Sequence, residues 1–240
     1  MRRDYFVTGT DTGVGKTLVT AALLRRLRES GLKVAGMKPV AAGSIAGPEG
    51  SANDDALLLQ AESSERHPYA IVNPWLFEPP IAPHIAADEA GIAIDTARIT
   101  AAFETLRAGA DVVLAEGAGG FLVPLDASRS FAEIPKLLGM EVILVVGLRL
   151  GCLNHALLTV EAIAARGLAL AGWVGNHIDP GFARFGANVA TLEARIPAPC
   201  LGIVPHMAQP DVAAAAAALS GASRLGRIPL AQKEKSGLRQ

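Results

Sequence analysis

The chain has 240 residues, with 22 Lys+Arg against 23 Asp+Glu, 50% hydrophobic and 19% charged. A half-apolar composition excludes a disordered chain. The near-neutral balance argues against a dedicated nucleic-acid binder, which carries a basic excess or stripe. Apolar runs such as residues 142–148 are far short of the roughly 20 residues that a membrane helix needs. Met1-Arg2-Arg3-Asp4-Tyr5 has no apolar signal core. Cys152 and Cys200 cannot make a disulfide framework and suit a reducing compartment. These features together predict a cytoplasmic protein with no nucleic-acid and no membrane partner.

Short apolar runs alternate with helical stretches along the chain. A strand over 5–8 precedes a Gly-rich loop and a helix over 17–29, in which Leu23, Leu24 and Leu27 share a face. A strand over 33–37 follows. Residues 44–53 are rich in Gly, Pro and Ser and read as a loop. A helix over 54–62 comes next, with Leu57, Leu58 and Ala61 at helical spacing. Residues 68–84 carry Pro68, Pro74, Pro79, Pro80 and Pro83, which excludes a long helix. Then come a helix over 95–108, a strand over 111–115, a helix over 131–138, a strand over 141–146, a helix over 153–165, a strand over 170–174, a helix over 186–195 and a strand over 201–204. The alanine run at 213–218 favours a last helix. The strands are apolar on both faces, as in a parallel sheet covered on both sides. Strand–helix alternation of this kind predicts an α/β fold: a doubly wound, mostly parallel sheet with helices on both faces. No linker or repeat interrupts it. One domain over 1–225 is expected, with a polar tail over 226–240 whose composition favours disorder.

The strongest motif is Gly9-Thr10-Asp11-Thr12-Gly13-Val14-Gly15-Lys16-Thr17. It follows the first strand and opens a helix. Backbone N–H groups of such a loop hold phosphate oxygens, and the helix N-terminus adds the positive end of its dipole. Lys16 would neutralise the β- and γ-phosphates, and the Thr17 hydroxyl would ligate Mg²⁺. Gly9 and Gly15 enclose five residues rather than the usual four. The preceding strand and the following helix still mark a P-loop NTPase type of site. Asp11 either contacts ligand or fixes the turn.

A nucleotide-bound Mg²⁺ takes one or two carboxylates. Glu116, at the end of the strand over 111–115, precedes Gly117-Ala118-Gly119-Gly120, where backbone can approach a ligand closely. Asp55 opens the helix over 54–62, although Asp54 or Asp55 could equally serve as its cap. Lys38 ends the second strand. Ligands of a doubly wound sheet gather at such strand ends, and a Lys there can stabilise a transferring phosphoryl group.

These blocks together resemble the dethiobiotin synthetase family. The resemblance is carried by the phosphate loop, Lys38-Pro39-Val40, Glu116-Gly117-Ala118-Gly119-Gly120, Leu150-Gly151-Cys152-Leu153-Asn154-His155 and Gly172-Trp173-Val174-Gly175-Asn176. It implies ATP as co-substrate, Mg²⁺ as cofactor, and closure of a cyclic urea from 7,8-diaminopelargonate and CO₂ to give dethiobiotin, ADP and phosphate. One amine takes up CO₂ as a carbamate, the carbamate attacks the γ-phosphate, and the second amine displaces phosphate. The catalytic residues it implies are Lys16, Lys38 and Thr12. Thr17, Asp55 and Glu116 would hold the metal. Gly13, Val14, Gly15, Leu18, Gly117, Ala118 and Gly119 would line the nucleotide. Asn176 and His177, with Pro205, His206 and Met207, would flank the base. Substrate contacts would come from Lys38 and Ala42, and from Gly151, Cys152, Asn154 and Asn188. The segment starting at Gly151 comes from the partner subunit in this family, which implies a homodimer.

Two positions depart from the family pattern. Ala42 stands where the family commonly has Ser, and Asn188 stands near a common Tyr. His84, in Ala82-Pro83-His84-Ile85, echoes the family without a role, His155 reads as a surface or interface residue, and the Cys152 thiol as a small apolar group. The first alternative is a partitioning-type ATPase switch. Such proteins carry an extra Lys early in the phosphate loop, and here none precedes Lys16 within it. Members that attach to membranes end in a basic amphipathic helix, whereas the tail with Lys233, Lys235 and Arg239 lacks an apolar face. The second alternative is a related amidoligase or small-molecule kinase.

Overall fold

The computed structural model describes residues 3–47 and 50–225. The predicted tail over 226–240 lies outside the described residues. In chain order the elements are β1 (Tyr5–Gly9), α1 (Lys16–Glu29), β2 (Val34–Met37), β3 (Val40–Ala42), β4 (Ile45–Gly47), β5 (Gly50–Ala52), α2 (Asp54–Glu62), α3 (Tyr69–Val72), β6 (Trp75–Phe77), α4 (Pro83–Glu89) and α5 (Thr96–Gly109). They continue with β7 (Val112–Gly120), α6 (Glu133–Leu138), β8 (Glu141–Gly147), α7 (Cys152–Ala165), β9 (Leu170–Asn176), α8 (Phe185–Arg195), β10 (Cys200–Val204) and α9 (Val212–Ala218).

The main sheet runs β10-β9-β8-β1-β7-β2, with every neighbouring pair parallel. Side chains alternate across it, as the two-residue period of a strand requires. Tyr5 and Val7 pack with Leu23, Leu24 and Leu27 of α1 and with α9. Phe6 points the other way, to Phe103 and Leu106 of α5 and Ile134 of α6. Leu144, Val146 and Trp173 face α7 and α8. Helices therefore cover both faces. Among the described residues no helix is long and apolar enough to cross a membrane.

Several expectations are corrected. Residues 44–53 are not all loop: β4 and β5 pair antiparallel as a small hairpin. Ile45 is exposed there and the strands have no apolar alternation, so no hydrophobic signal marks them. Glu116 does not end its strand, because β7 continues through the glycines to Gly120. Val7 pairs with Glu116 but Gly9 pairs with Gly120, so β7 carries extra residues that bulge beside the phosphate loop. On α2 the buried face is Ala56, Leu59 and Gln60, while Ala61 is exposed and Leu57 and Leu58 are half-buried. Neither Asp54 nor Asp55 caps that helix: Asn53 does, its side chain accepting from the Ala56 N–H at 3.3 Å.

An ion cluster locks α2 onto α1. Arg25 Nη2 lies 2.5 Å from Glu62 Oε1, and Arg28 Nη2 lies 3.1 Å from Glu62 Oε2. Arg28 Nη1 also donates to the Glu62 carbonyl at 2.9 Å. Glu62 is buried, so its charge depends on these donors. Glu62→Ala is expected to destabilise the protein by about 1.5–3 kcal/mol, the range for a hydrogen bond to a charged group. Urea unfolding checks this, as a lower midpoint at unchanged slope.

Candidate active site

The site is built where the chain changes direction across the sheet. β1 is flanked by β7 on one side and β8 on the other, and ligands bind in the crevice outside such a switch point. The loop after β1 ends at Gly15, with φ 84°, which caps α1. Only glycine takes this left-handed backbone without strain. A Cβ at Gly15 would also sit 2.1 Å from Asn176 Nδ2. That amide donates to the Val14 carbonyl at 2.9 Å, so β9 braces the loop from behind.

A cleft of about 660 Å³ opens in front of the loop. The ammonium-bearing Lys16 and Lys38 both line it, as do Thr12, Thr17, Asp55 and Glu116. Lys38 follows β2 and is 4% exposed. Its Nζ lies 2.5 Å from Glu116 Oε1 and 2.8 Å from Asp55 Oδ2, and it donates to the Gly117 carbonyl at 3.4 Å. Thr17 Oγ1 donates to the same Glu116 oxygen at 3.0 Å. Lys38 after β2 and Thr17 of α1 thus meet on one β7 carboxylate.

The charges are tuned by this burial. Desolvation pushes the Lys16 pKa down to about 8, opposed by Glu116 and reinforced by Lys38. Its Nζ rests on the Asp11 carbonyl at 3.0 Å, and an incoming phosphate would supply a fuller counter-charge. Burial also acts to lower the Lys38 pKa, but Glu116 and Asp55 outweigh it and hold that group above its ordinary value. Burial acts to raise Asp55, and the Lys38 ammonium overcomes it, so the carboxyl sits below its usual range. Lys38 and Asp55 are therefore both charged at neutral pH.

The donor set fits a hard divalent cation. One hydroxyl and two carboxylates converge, and Glu116 Oε2 is buried without a hydrogen-bond partner. Among the described residues no group of three or more His, Cys, Asp and Glu side chains gathers to hold a metal. Such a sparse set suits Mg²⁺, which keeps waters and phosphate oxygens in its shell.

A family model described as an AAA domain matches residues 3–216. The ATP-dependent dethiobiotin synthetase BioD of Aromatoleum aromaticum is 55% identical over 219 residues, 90% of this chain and 96% of that protein. Its counterpart in Ralstonia nicotianae is 50% identical over 227 residues, 95% of this chain and 99% of that one. The chain belongs to the dethiobiotin synthetase family. Solved structures with the same fold include the MinC:MinD cell division protein complex of Aquifex aeolicus, with TM-score 0.58 and 15% identity, covering 96% of this chain and 99% of that one. A ParA family ATPase from Chlorobium tepidum has TM-score 0.55 and 14% identity, covering 94% and 96%. The fold is that of P-loop NTPases.

The residues expected from the family distribute unevenly over the structure. Gly13, Gly15, Ala42, Ala118 and Gly119 line the cleft with the charged groups above. Val14 is buried in the core and can offer a ligand only its main chain. Leu18 packs its side chain on the same core, as does Met207. His177 and His206 form a separate aromatic group with Phe185, the His177 ring 4.3 Å from Phe185 and 6.0 Å from His206. With exposed Pro205 they sit at the ends of β9 and β10, outside the cleft. Asp11 does fix the turn: its Oδ1 accepts from the Thr12 N–H at 2.7 Å, and its Oδ2 pairs with Arg149 at 2.6 Å.

Gly151, Cys152, Asn154 and Asn188 do not line the cleft of their own chain. Cys152 is buried, and burial pushes its thiol pKa up. Asn188 Nδ2 donates to the Arg184 carbonyl at 3.1 Å, at the start of its own helix. Sequence reasoning missed the wall formed by Pro80, Ile81, Ala82 and Pro83, and also Asn53 and Val123. The proline-rich run signalled only a broken helix; nothing in it announced a cleft wall.

Gly15→Ala combines left-handed strain with a collision at Asn176. Strain of order 1–3 kcal/mol is expected to weaken binding of a non-hydrolysable ATP analogue by roughly tenfold or more, with far-UV circular dichroism unchanged. Equilibrium titration with a fluorescent analogue measures it.

Proposed function

We propose that the cleft performs the ATP-dependent dethiobiotin synthetase reaction through Lys16, Lys38 and Thr12, with Mg²⁺ held by Thr17, Asp55 and Glu116. The observation that carries this reading is the meeting of Lys38, Asp55, Glu116 and Thr17 beside Lys16 in one cleft. When bound, Mg²⁺ supplies charge neutralisation on the nucleotide phosphates.

The chemistry needs cations between two anions. One amine of 7,8-diaminopelargonate adds to CO₂, forming a C–N bond and releasing a proton. The carbamate oxygen then attacks the γ-phosphorus, and ADP leaves. The second amine attacks the carbamate carbon, and phosphate leaves as the ring closes. Carbamate and triphosphate repel each other, so Lys16 and Lys38 flank the line of attack. The loop N–H groups and the α1 N-terminus add uncharged donors. Positioning and charge stabilisation do most of the work in phosphoryl transfer. Asn176 and His177, with Pro205, His206 and Met207, hold the purine end, and main chain at Gly117–119 lines the nucleotide.

The same reading includes a cytoplasmic homodimer of single-domain subunits, the domain running over residues 1–225. The dimer is supported by Leu150, 89% exposed, and Leu158, 57% exposed, around the start and middle of α7. The segment at Gly151, Cys152 and Asn154, with Asn188, then faces the partner's cleft, where the helix N-terminus receives the substrate's far carboxylate.

Purified protein given ATP, bicarbonate and the diamine is expected to yield dethiobiotin by mass spectrometry, with ATP turnover dependent on the diamine. Equal ATP hydrolysis without the diamine would sink this reading. Lys16→Ala is expected to lower turnover by roughly 10²-fold or more, the scale of losing one key electrostatic group. Ala42→Ser restores a hydroxyl beside Lys38 and is expected to lower the KM for the diamine; steady-state kinetics decides it.

A further inference from the structure

The ammonium of Lys38 and the carboxylate of Asp55 come from segments 17 residues apart, yet they meet at 2.8 Å. Something must hold both main chains in register. Residues 72 and 73 hold Lys38: its N–H donates to the Val72 carbonyl at 2.8 Å, and its carbonyl accepts from Asn73 Nδ2 at 2.7 Å. Asn73 is 3% exposed, and its Nδ2 also donates to the Trp75 carbonyl at 3.0 Å. Both donors of that amide are thus spent on main chain. Its Oδ1 accepts from the Tyr69 hydroxyl at 2.9 Å.

The Tyr69 oxygen in turn accepts from the Asn53 N–H at 2.8 Å. Asn53 caps α2, whose first turn carries Asp55, and its Nδ2 donates to the Gly43 carbonyl at 3.0 Å, one residue beyond Ala42. The relay therefore runs Lys38 carbonyl, Asn73, Tyr69, Asn53, and ends at the cap of the helix that supplies the carboxylate. Neither Tyr69 nor Asn73 lines the cleft. Burial pushes the Tyr69 phenol above its ordinary value, so the hydroxyl keeps the proton that it donates.

We infer that Tyr69 and Asn73 are positioning residues, which set the separation of Lys38 and Asp55 without touching substrate. The inference rests on the roles proposed above for those two groups. Small displacements at such a centre are costly: about 1 Å can lower a rate by 10²-fold. Losing one hydroxyl from the relay relaxes it only in part. An ordinary structural hydrogen bond would affect stability alone, and Tyr5 provides the comparison. Its hydroxyl donates to the Leu225 carbonyl at 2.7 Å, and neither residue lines the cleft.

The test is Tyr69→Phe beside Tyr5→Phe, in the full chain, by steady-state kinetics, Mg²⁺ titration of the rate and thermal unfolding. Tyr69→Phe is expected to lower kcat roughly tenfold, to leave the KM for ATP within about twofold, and to raise the Mg²⁺ concentration for half-maximal rate at least about threefold. Binding of Mn²⁺ with a non-hydrolysable ATP analogue, followed by water-proton relaxation, should weaken in parallel without turnover. Tyr5→Phe is expected to lower the melting temperature and change none of these. If Tyr69→Phe matches Tyr5→Phe in kinetics and metal binding, the relay is structural only and the inference falls. A change confined to the KM for ATP overturns it as well. No dethiobiotin from wild type would overturn the synthetase reading and this inference together, whereas an active wild type with an unaffected Tyr69→Phe overturns this inference alone.

Discussion

An ammonium removed from water must be given an opposite charge, and the whole cleft is organised around that demand at Lys38. Desolvating a lone ammonium costs several kcal/mol, so Lys38 can be buried only because Glu116 and Asp55 reach it. Glu116 is itself 0% exposed, so the dependence is mutual. The sharing of one Glu116 oxygen between Lys38 and Thr17 extends the constraint to the phosphate loop. β2, β7, α1 and α2 cannot shift independently without stranding a charge.

The sheet order makes this meeting possible. β7 lies between β1 and β2, so a side chain from β7 can touch residues that follow both neighbours. The extra residues between Glu116 and Gly120 let the β7 backbone turn toward the cleft while pairing with β1 resumes at Gly9. Gly119, with φ 63°, takes a backbone angle that a side chain would strain. In the C-terminal halves of the two helices, Glu62 and its two arginines fix α2 against α1. Asp55 and Thr17, carried by those two helices, inherit that fixed spacing.

What was legible in the sequence follows from how local the physics is. The phosphate loop could be read because its chemistry lies within nine consecutive residues. The main-sheet strands could be read because a fully buried strand must be apolar throughout. Glycines usually interrupt strands, which puts Glu116 at a strand end in the sequence; these glycines instead continue the pairing by backbone alone. On α2 the apolar pattern favours Leu57 and Leu58, whereas Gln60 is buried by donating to the His67 carbonyl at 2.6 Å. No hydrophobic pattern encodes such a partner. Tyr69, Asn73 and Asn53 carry no sequence signal for the same reason, since their side chains bond to the carbonyls of Lys38, Trp75 and Gly43 and to the N–H groups of Asn53 and Ala56, groups that nearly every residue possesses.

The fold by itself does not select the chemistry. The solved MinC:MinD and ParA family structures have the same fold at only 14–15% identity, and a phosphate loop with its lysine accounts for nucleotide binding in any protein that carries one. Function is decided by what the sheet presents next to the loop. In this chain that is a second, buried lysine whose charge is held by two carboxylates, facing a cleft walled by Pro80 and Pro83. A water-exposed lysine at the same strand end would keep its own hydration and exert little force on a phosphoryl group. In the role proposed above, a buried and paired lysine acts where charge is weakly screened, and hydrogen bonds set its position before any substrate arrives. Preorganisation of that kind separates a group that stabilises a transition state from one that merely neutralises a ligand.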